Sequence, residues 1–204
     1  MKIIFGGSNK IPGYTSIDIN GEADITRDIR LRWPFKSNSA DVIFGSHVLE
    51  HLTKTEGEYV IQECNRILKI GGILRLSVPD LRLFAEKFVN NDVKFYDEEF
   101  DLKNGAAGKT ISEKFMYVVS GMGHKYQYDF ESLHQLLKDF SFEQIERKNY
   151  RESEIAEIEL LDNRPEQSLY IEAKKQRDLE QYVKESVSRI EKIRIHLHIC
   201  RKLL

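Results

Sequence analysis

The residues best suited to chemistry fall in short stretches that follow apolar runs. Gly6-Gly7-Ser8 follows Lys2-Ile-Ile-Phe5, and Asp18 closes the β-rich run Tyr14-Thr-Ser-Ile-Asp18. A glycine turn after a strand lets a nucleoside lie against backbone, and a carboxylate at the next strand end can accept both ribose hydroxyls. An ordinary tight turn fits the same letters. Asp28, with Ile29 beside it and Trp33-Pro34-Phe35 beyond, can accept from an adenine amino group while apolar neighbours hold the ring. On these residues alone a solvated loop aspartate fits better. The run Asp41-Val-Ile-Phe-Gly-Ser-His-Val-Leu-Glu-His-Leu52 is apolar up to Gly45-Ser46 and then presents His47, Glu50 and His51. A strand that ends in glycine and then offers polar groups is how open α/β sheets build their ligand edge. Gly121-Met-Gly-His124-Lys-Tyr126-Gln-Tyr128 combines an adaptable backbone, a titratable ring and flat aromatic faces, which suits a sugar or aromatic acceptor. His124 is the first choice for a base and His47 the second.

His47-x-x-Glu50-His51 also matches the inverted zincin pattern, two histidines one turn apart with a glutamate between them. That chemistry needs a long helix, and here a glycine-terminated strand precedes the motif by two residues. The zinc reading is therefore set aside, no metal is expected, and Glu50 and His51 read as structural parts of a loop.

The elements that must position these residues alternate. Residues 2–5, 14–18 and 41–44 read as strands, with 23–25 extended. The link between the first two is too short for the helix of an ordinary parallel crossover. Thr53-Lys-Thr-Glu56 is a capping box, and Val60, Cys64, Ile67 and Leu68 share one helical face that stops at Gly71-Gly72. Residues 73–78 read as a strand, 81–89 as a helix, 90–109 as a loop and 112–120 as a helix. The interval 80–129 is the natural place for a lid or substrate-selecting insertion. Asp129 caps a helix, 142–149 and 169–173 are the last strands, and 151–167 is an acidic connection with a helical turn. Residues 174–204 read as one long amphipathic helix, basic, with a narrow seam through Leu179, Val183, Val187, Ile190, Ile193 and Leu197. That helix suits a homodimer or a partner enzyme.

A chain of 204 residues with 41% hydrophobic residues can bury one core, and a net charge of -2 lacks the basic excess of a nucleic-acid binder. Cys64 and Cys200 match no metal or redox spacing, so a reduced, cytoplasmic setting is expected. No apolar run is long enough for an integral membrane segment, and the chain enters a strand pattern without a signal-peptide core.

Taken in order, Phe5-Gly6-Gly7-Ser8, Ile17-Asp18, Asp28-Ile29, Pro34-Phe35, Ser39-Ala-Asp41-Val-Ile, His47-Val-Leu-Glu50-His51-Leu52, Glu63-Cys-Asn-Arg66-Ile-Leu-Lys69, Gly71-Gly72 and Val78-Pro79-Asp80-Leu81 resemble the class I S-adenosylmethionine-dependent methyltransferase family, in its short form. The likeness covers roughly residues 1–175. It implies an α/β, Rossmann-like fold: a mostly parallel sheet with an antiparallel final strand and helices on both faces, completed here by the long C-terminal helix. It implies S-adenosyl-L-methionine as cofactor. Gly6 and Gly7 would border its methionine part, Asp18 its ribose and Asp28 with Ile29 its adenine, while Gly45, Ser46 and His47 would line the pocket near the sulfonium. The acceptor implied is a small molecule or a glycan, in bacterial sugar or surface-glycan biosynthesis. Two departures stand out: Ser8 replaces the third motif glycine, and the first strand carries no acidic residue. The alternatives left open are a catalytically impaired binding or scaffold module of the same fold and, further off, a zinc hydrolase.

Overall fold

The apolar runs assemble into one sheet. Its strands are β1 (Lys2–Phe5), β2 (Tyr14–Asp18), β3 (Ile25–Thr26), β4 (Ala40–Ser46), β5 (Leu68–Pro79), β6 (Phe142–Lys148) and β7 (Ser168–Lys175), in the order β3-β2-β1-β4-β5-β7-β6. The computed structural model describes residues 1–7, 10–105 and 107–178. Neighbours from β3 to β5 pair in parallel, and β7 runs antiparallel to both β5 and β6. β1 and β2 are parallel neighbours with no helix among the described residues that join them, as the short link predicts, and β4 sits at the centre of the sheet.

Alternation along the strands sorts the core into two faces. Ile3, Phe5, Ile43, Leu74, Leu76, Leu169 and Ile171 meet helices α1 (Lys54–Ile67) and, later in the chain, α5 (Phe130–Asp139). Ile4, Val42 and Phe44 meet Ile155, Ile158 and Leu161, from the segment that carries the short helix α6 (Ile158–Leu161). The second face is thus covered by one helical turn and its flanks, with no helix among the described residues of the first crossover. The buried Arg75 of β5 fastens that cover. Its guanidinium donates to Asp162, to Glu172 Oε1 at 3.0 Å and to the Glu152 carbonyl at 2.9 Å. Every charge it brings into the core is matched, as a buried ion requires.

Between β5 and α5, α2 (Leu81–Val89), α3 (Val93–Glu99) and α4 (Ile111–Ser120) form a lobe with its own small core of Phe84, Tyr96, Leu102, Ala107 and Val118.

Several expectations need correction. The first long helix ends at Ile67, not at Gly71-Gly72; Leu68 already pairs with Ala40, and the glycines lie inside β5. Gly71 has φ +80° there, and a Cβ on Gly72 would stand 2.9 Å from the Lys69 carbonyl, so both serve an irregular stretch where pairing jumps from Leu68 to Ile73. Residues 90–109 are not all loop: Asp92 accepts from the Phe95 amide and starts α3. Lys174 and Lys175 belong to β7, so a helix cannot begin at 174. The remainder of the expected C-terminal helix, from 179 onward, lies outside the described residues.

Candidate functional site

The carboxyl ends of β1, β2 and β4 open into two adjoining pockets that share Gly6, His47 and His51. Crevices at that edge are where open α/β sheets bind ligands. The smaller, about 320 Å³, is lined by Asp18, Asp28, Ile29 and Lys125 among others. The larger, about 510 Å³, is lined by Gly7, Ser46, Glu50, His124 and the 160–164 segment.

Gly6 shapes the floor where they meet. It has φ +73°, and a Cβ there would lie 2.0 Å from Val48 Cγ2. Only glycine takes that conformation and that approach freely. Asp18 ends β2 and accepts from the Asn20 amide at 2.7 Å. Asp28 faces the smaller pocket but is clasped by Arg30, whose Nη2 lies 2.6 Å from Oδ2. The Arg30 bond holds that carboxyl below its ordinary range. Ile29 is buried, and its carbonyl accepts from Trp33 Nε1 at 2.9 Å. The loop bearing this pair is fixed to α1 by the Glu63 carboxylate, which accepts from the Trp33 amide at 2.8 Å and pairs with Arg66.

Gly45 lines neither pocket. It is buried under the Phe5 ring, and a Cβ on it would meet Phe5 Cζ at 2.2 Å. Its glycine answers to that packing. Ser46 does line the larger pocket, accepting from Ser77 Oγ at 2.8 Å and donating to Asn163 at 3.4 Å.

His47 follows with φ +52°. Both ring nitrogens are engaged: Nε2 contacts Ser168 Oγ at 2.8 Å and Nδ1 lies 3.3 Å from Glu50 Oε1. That leaves His47 a fixed post rather than a free base. His47 and His51 do not share a helix face, because only the single 3-10 turn Leu49–His51 follows. The geometry of the inverted zincin motif is therefore not formed.

Instead His51 meets His124, with ring centroids 4.9 Å apart. Met122 and Gly123 turn the chain with φ of +55° and +80°, delivering His124 to the pocket. His124 Nδ1 lies 2.7 Å from the Val118 carbonyl and His51 Nδ1 lies 3.3 Å from the Gly123 carbonyl. Burial depresses the His124 pKa, helped by His51 and His47 and opposed by its bond to the Val118 carbonyl and by Glu50. Glu50 joins them from below, buried at 1% exposure, while its carbonyl accepts from the Lys125 amide at 2.7 Å.

The structure thus brings Gly6, Gly7, Asp18, Asp28, Ile29, Ser46, His47 and His124 to the pockets and leaves Gly45 beneath them. Sequence reasoning missed Arg30, Lys125, Asn163 and Arg164. Arg30 stands two residues from Asp28 and was visible as its partner; Asn163 and Arg164 arrive from the far end of the sheet, where no local pattern links them to the site.

The profile of a family described as a methyltransferase domain matches residues 17–76. No curated protein sequence matches the chain. Among solved structures, a SAM dependent methyltransferase from Archaeoglobus fulgidus is 15% identical, with 85% of each chain covered and a TM-score of 0.52. A phosphoethanolamine N-methyltransferase 2 from Haemonchus contortus, solved with phosphomonomethylethanolamine and S-adenosylhomocysteine, is 14% identical, with 86% of this chain and 48% of that one covered and a TM-score of 0.53. This chain spans about half the length of that relative. The fold is that of S-adenosylmethionine-dependent methyltransferases.

Proposed function

We propose that the protein is an S-adenosylmethionine-dependent methyltransferase acting on a small molecule or a glycan. One observation carries the reading: a pocket bearing Asp18 and Asp28 opens, past Gly6, into a larger one bearing Glu50, His51 and His124. Adenosine fits the first, with its ribose on Asp18 and its adenine against Asp28 and Ile29. The methionine part lies over Gly6 and Gly7, which points the sulfonium methyl into the second, where the acceptor enters. The acceptor atom then bonds to the methyl carbon as the sulfur–carbon bond breaks, releasing S-adenosylhomocysteine. The chain's share is to align donor and acceptor and to exclude water. The acceptor's proton leaves through the larger pocket, whose wall carries Glu50, His51 and His124. An acceptor from bacterial glycan biosynthesis and a cytoplasmic setting belong to the same proposal.

Calorimetry with S-adenosylhomocysteine tests it. Wild type is expected to bind one equivalent, and Asp18→Ala to weaken binding at least roughly tenfold, the loss of a bidentate contact to two hydroxyls. Folded protein that takes up none at millimolar ligand overturns the reading.

A further inference from the structure

We propose that Glu50, His51 and His124 form a binding site for a single divalent transition-metal ion at the wall of the larger pocket. One ligand atom from each of the three lies within 4.8 Å of the others. Two imidazoles and one carboxylate suit zinc, cobalt, manganese or iron better than magnesium or calcium, which prefer all-oxygen sites.

The Glu50 carboxylate points to a ligand independently of the cluster. Its residue is 1% exposed, and Oε2 has no hydrogen-bond partner, whereas Oε1 faces His47. Buried polar atoms are almost always satisfied, so an orphaned carboxylate oxygen beside two imidazoles points to a partner that the chain itself does not supply. Both imidazoles are prepared for one. Each turns Nδ1 to a backbone carbonyl, His124 to Val118 and His51 to Gly123. His124 Nδ1 also stands 2.9 Å from Gln127 Nε2; with Nδ1 engaged on both rings, Nε2 is the nitrogen left to take an ion, and a carbonyl on the other ring nitrogen is what metal-bound histidines commonly show. Bonds of about 2.0–2.1 Å draw such donors to roughly 3.3 Å from one another, a closure small rotations of two rings supply. His47 stands on the other side of the carboxylate, its Nδ1 3.3 Å from Glu50 Oε1.

Three protein donors leave coordination positions open, and those face the pocket assigned to the acceptor. The place of the ion therefore deepens the methyltransferase reading: the acceptor's class narrows to one that offers an oxygen or nitrogen donor to a metal. Binding of the ion itself stands apart from that reading.

The experiment uses the full chain, stripped with chelator and dialysed. Cobalt(II) is titrated against its visible spectrum and zinc by calorimetry. One equivalent per chain is expected, with a cobalt band of low-symmetry coordination. His124→Ala and Glu50→Gln should each weaken zinc at least tenfold with an unchanged circular dichroism spectrum, and His51→Ala should do the same if Glu50→Gln fails to fold. His134→Ala should bind as wild type. Absence of a stoichiometric ion overturns the proposal. So does an ion that His124→Ala and His51→Ala leave in place but the double variant His196→Ala/His198→Ala removes, since it then belongs to the C-terminal segment. S-adenosylhomocysteine titrated into the stripped protein separates the two ideas: uptake without metal affinity leaves the methyltransferase reading standing and ends this one.

Discussion

A methyl group added at Gly6 would meet Val48 in a conformation that side-chain-bearing residues rarely adopt. Gly6→Ala is therefore expected to destabilise the chain by roughly 1–3 kcal/mol in urea denaturation. Adding Val48→Ala should recover only part of the loss, since removing the clash leaves the backbone strain. The same residue was legible in the sequence as a turn after a strand, and so was Asp18 at a strand end. What the letters could not show is direction. His124 and His47 were the first and second choices for a base, and only the fold shows that His47 has both nitrogens engaged while His124 turns Nδ1 to the Val118 carbonyl. Gly45 looked like a cofactor glycine and proves to make room for the Phe5 ring. Glu63 shows a further effect that no local pattern displays. Burial opposes its charge, but Arg66 and the Trp33 amide outweigh burial and hold its pKa below the ordinary 4.5. Its ionised form therefore contributes stability that is full above pH 4.5 and is lost as pH falls through the depressed value. Wild type should lose stability between pH 5 and pH 3 more steeply than Glu63→Gln, about 1 kcal/mol or more across that range in chemical denaturation.

Among the elements, β5 carries the largest mechanical duty. It pairs with β4 on one side and β7 on the other, and its Arg75 holds the segment that covers the second face. Arg75→Met strands Asp162 and Glu172 as buried, unmatched charges. A loss of about 3–5 kcal/mol is expected, against little change when all three are replaced together by apolar residues of similar volume. Denaturant midpoints of the single and triple variants would check this. Strands and the longer helices were readable because burial imposes their periodicity, and the Thr53–Glu56 capping box forms as written. Helix α3 was not, since seven residues are too few for a repeat and the partners of its Phe95, Phe84 and Phe100, lie outside it. The glycine pair at 71–72 misled because the same dipeptide ends helices and relieves strands.

At the scale of the molecule, two cores share one chain. The sheet's core is continuous through β1, β4, β5 and β7, whereas the α2–α4 lobe closes on its own aromatic cluster. Amide exchange is expected to separate them: Ile43, Leu74 and Ile171 should exchange only with global unfolding, and Tyr96 and Val118 through a cheaper, local opening. Equal protection in both would show the lobe to be one unit with the sheet. The lobe reaches the site through the Val118 carbonyl, so its opening would release His124. The bare link between β1 and β2 has a further outcome in the order of synthesis. The face it leaves open is closed by Ile158 and Leu161, and Lys2 itself pairs with Glu157 at 2.5 Å. A nascent chain that has emerged only as far as α5 holds every residue assigned to the nucleoside and to the ion, yet lacks one wall of the pocket between them. It would therefore wait for residues 155–164 before it could grip its cofactor and gain stability from it.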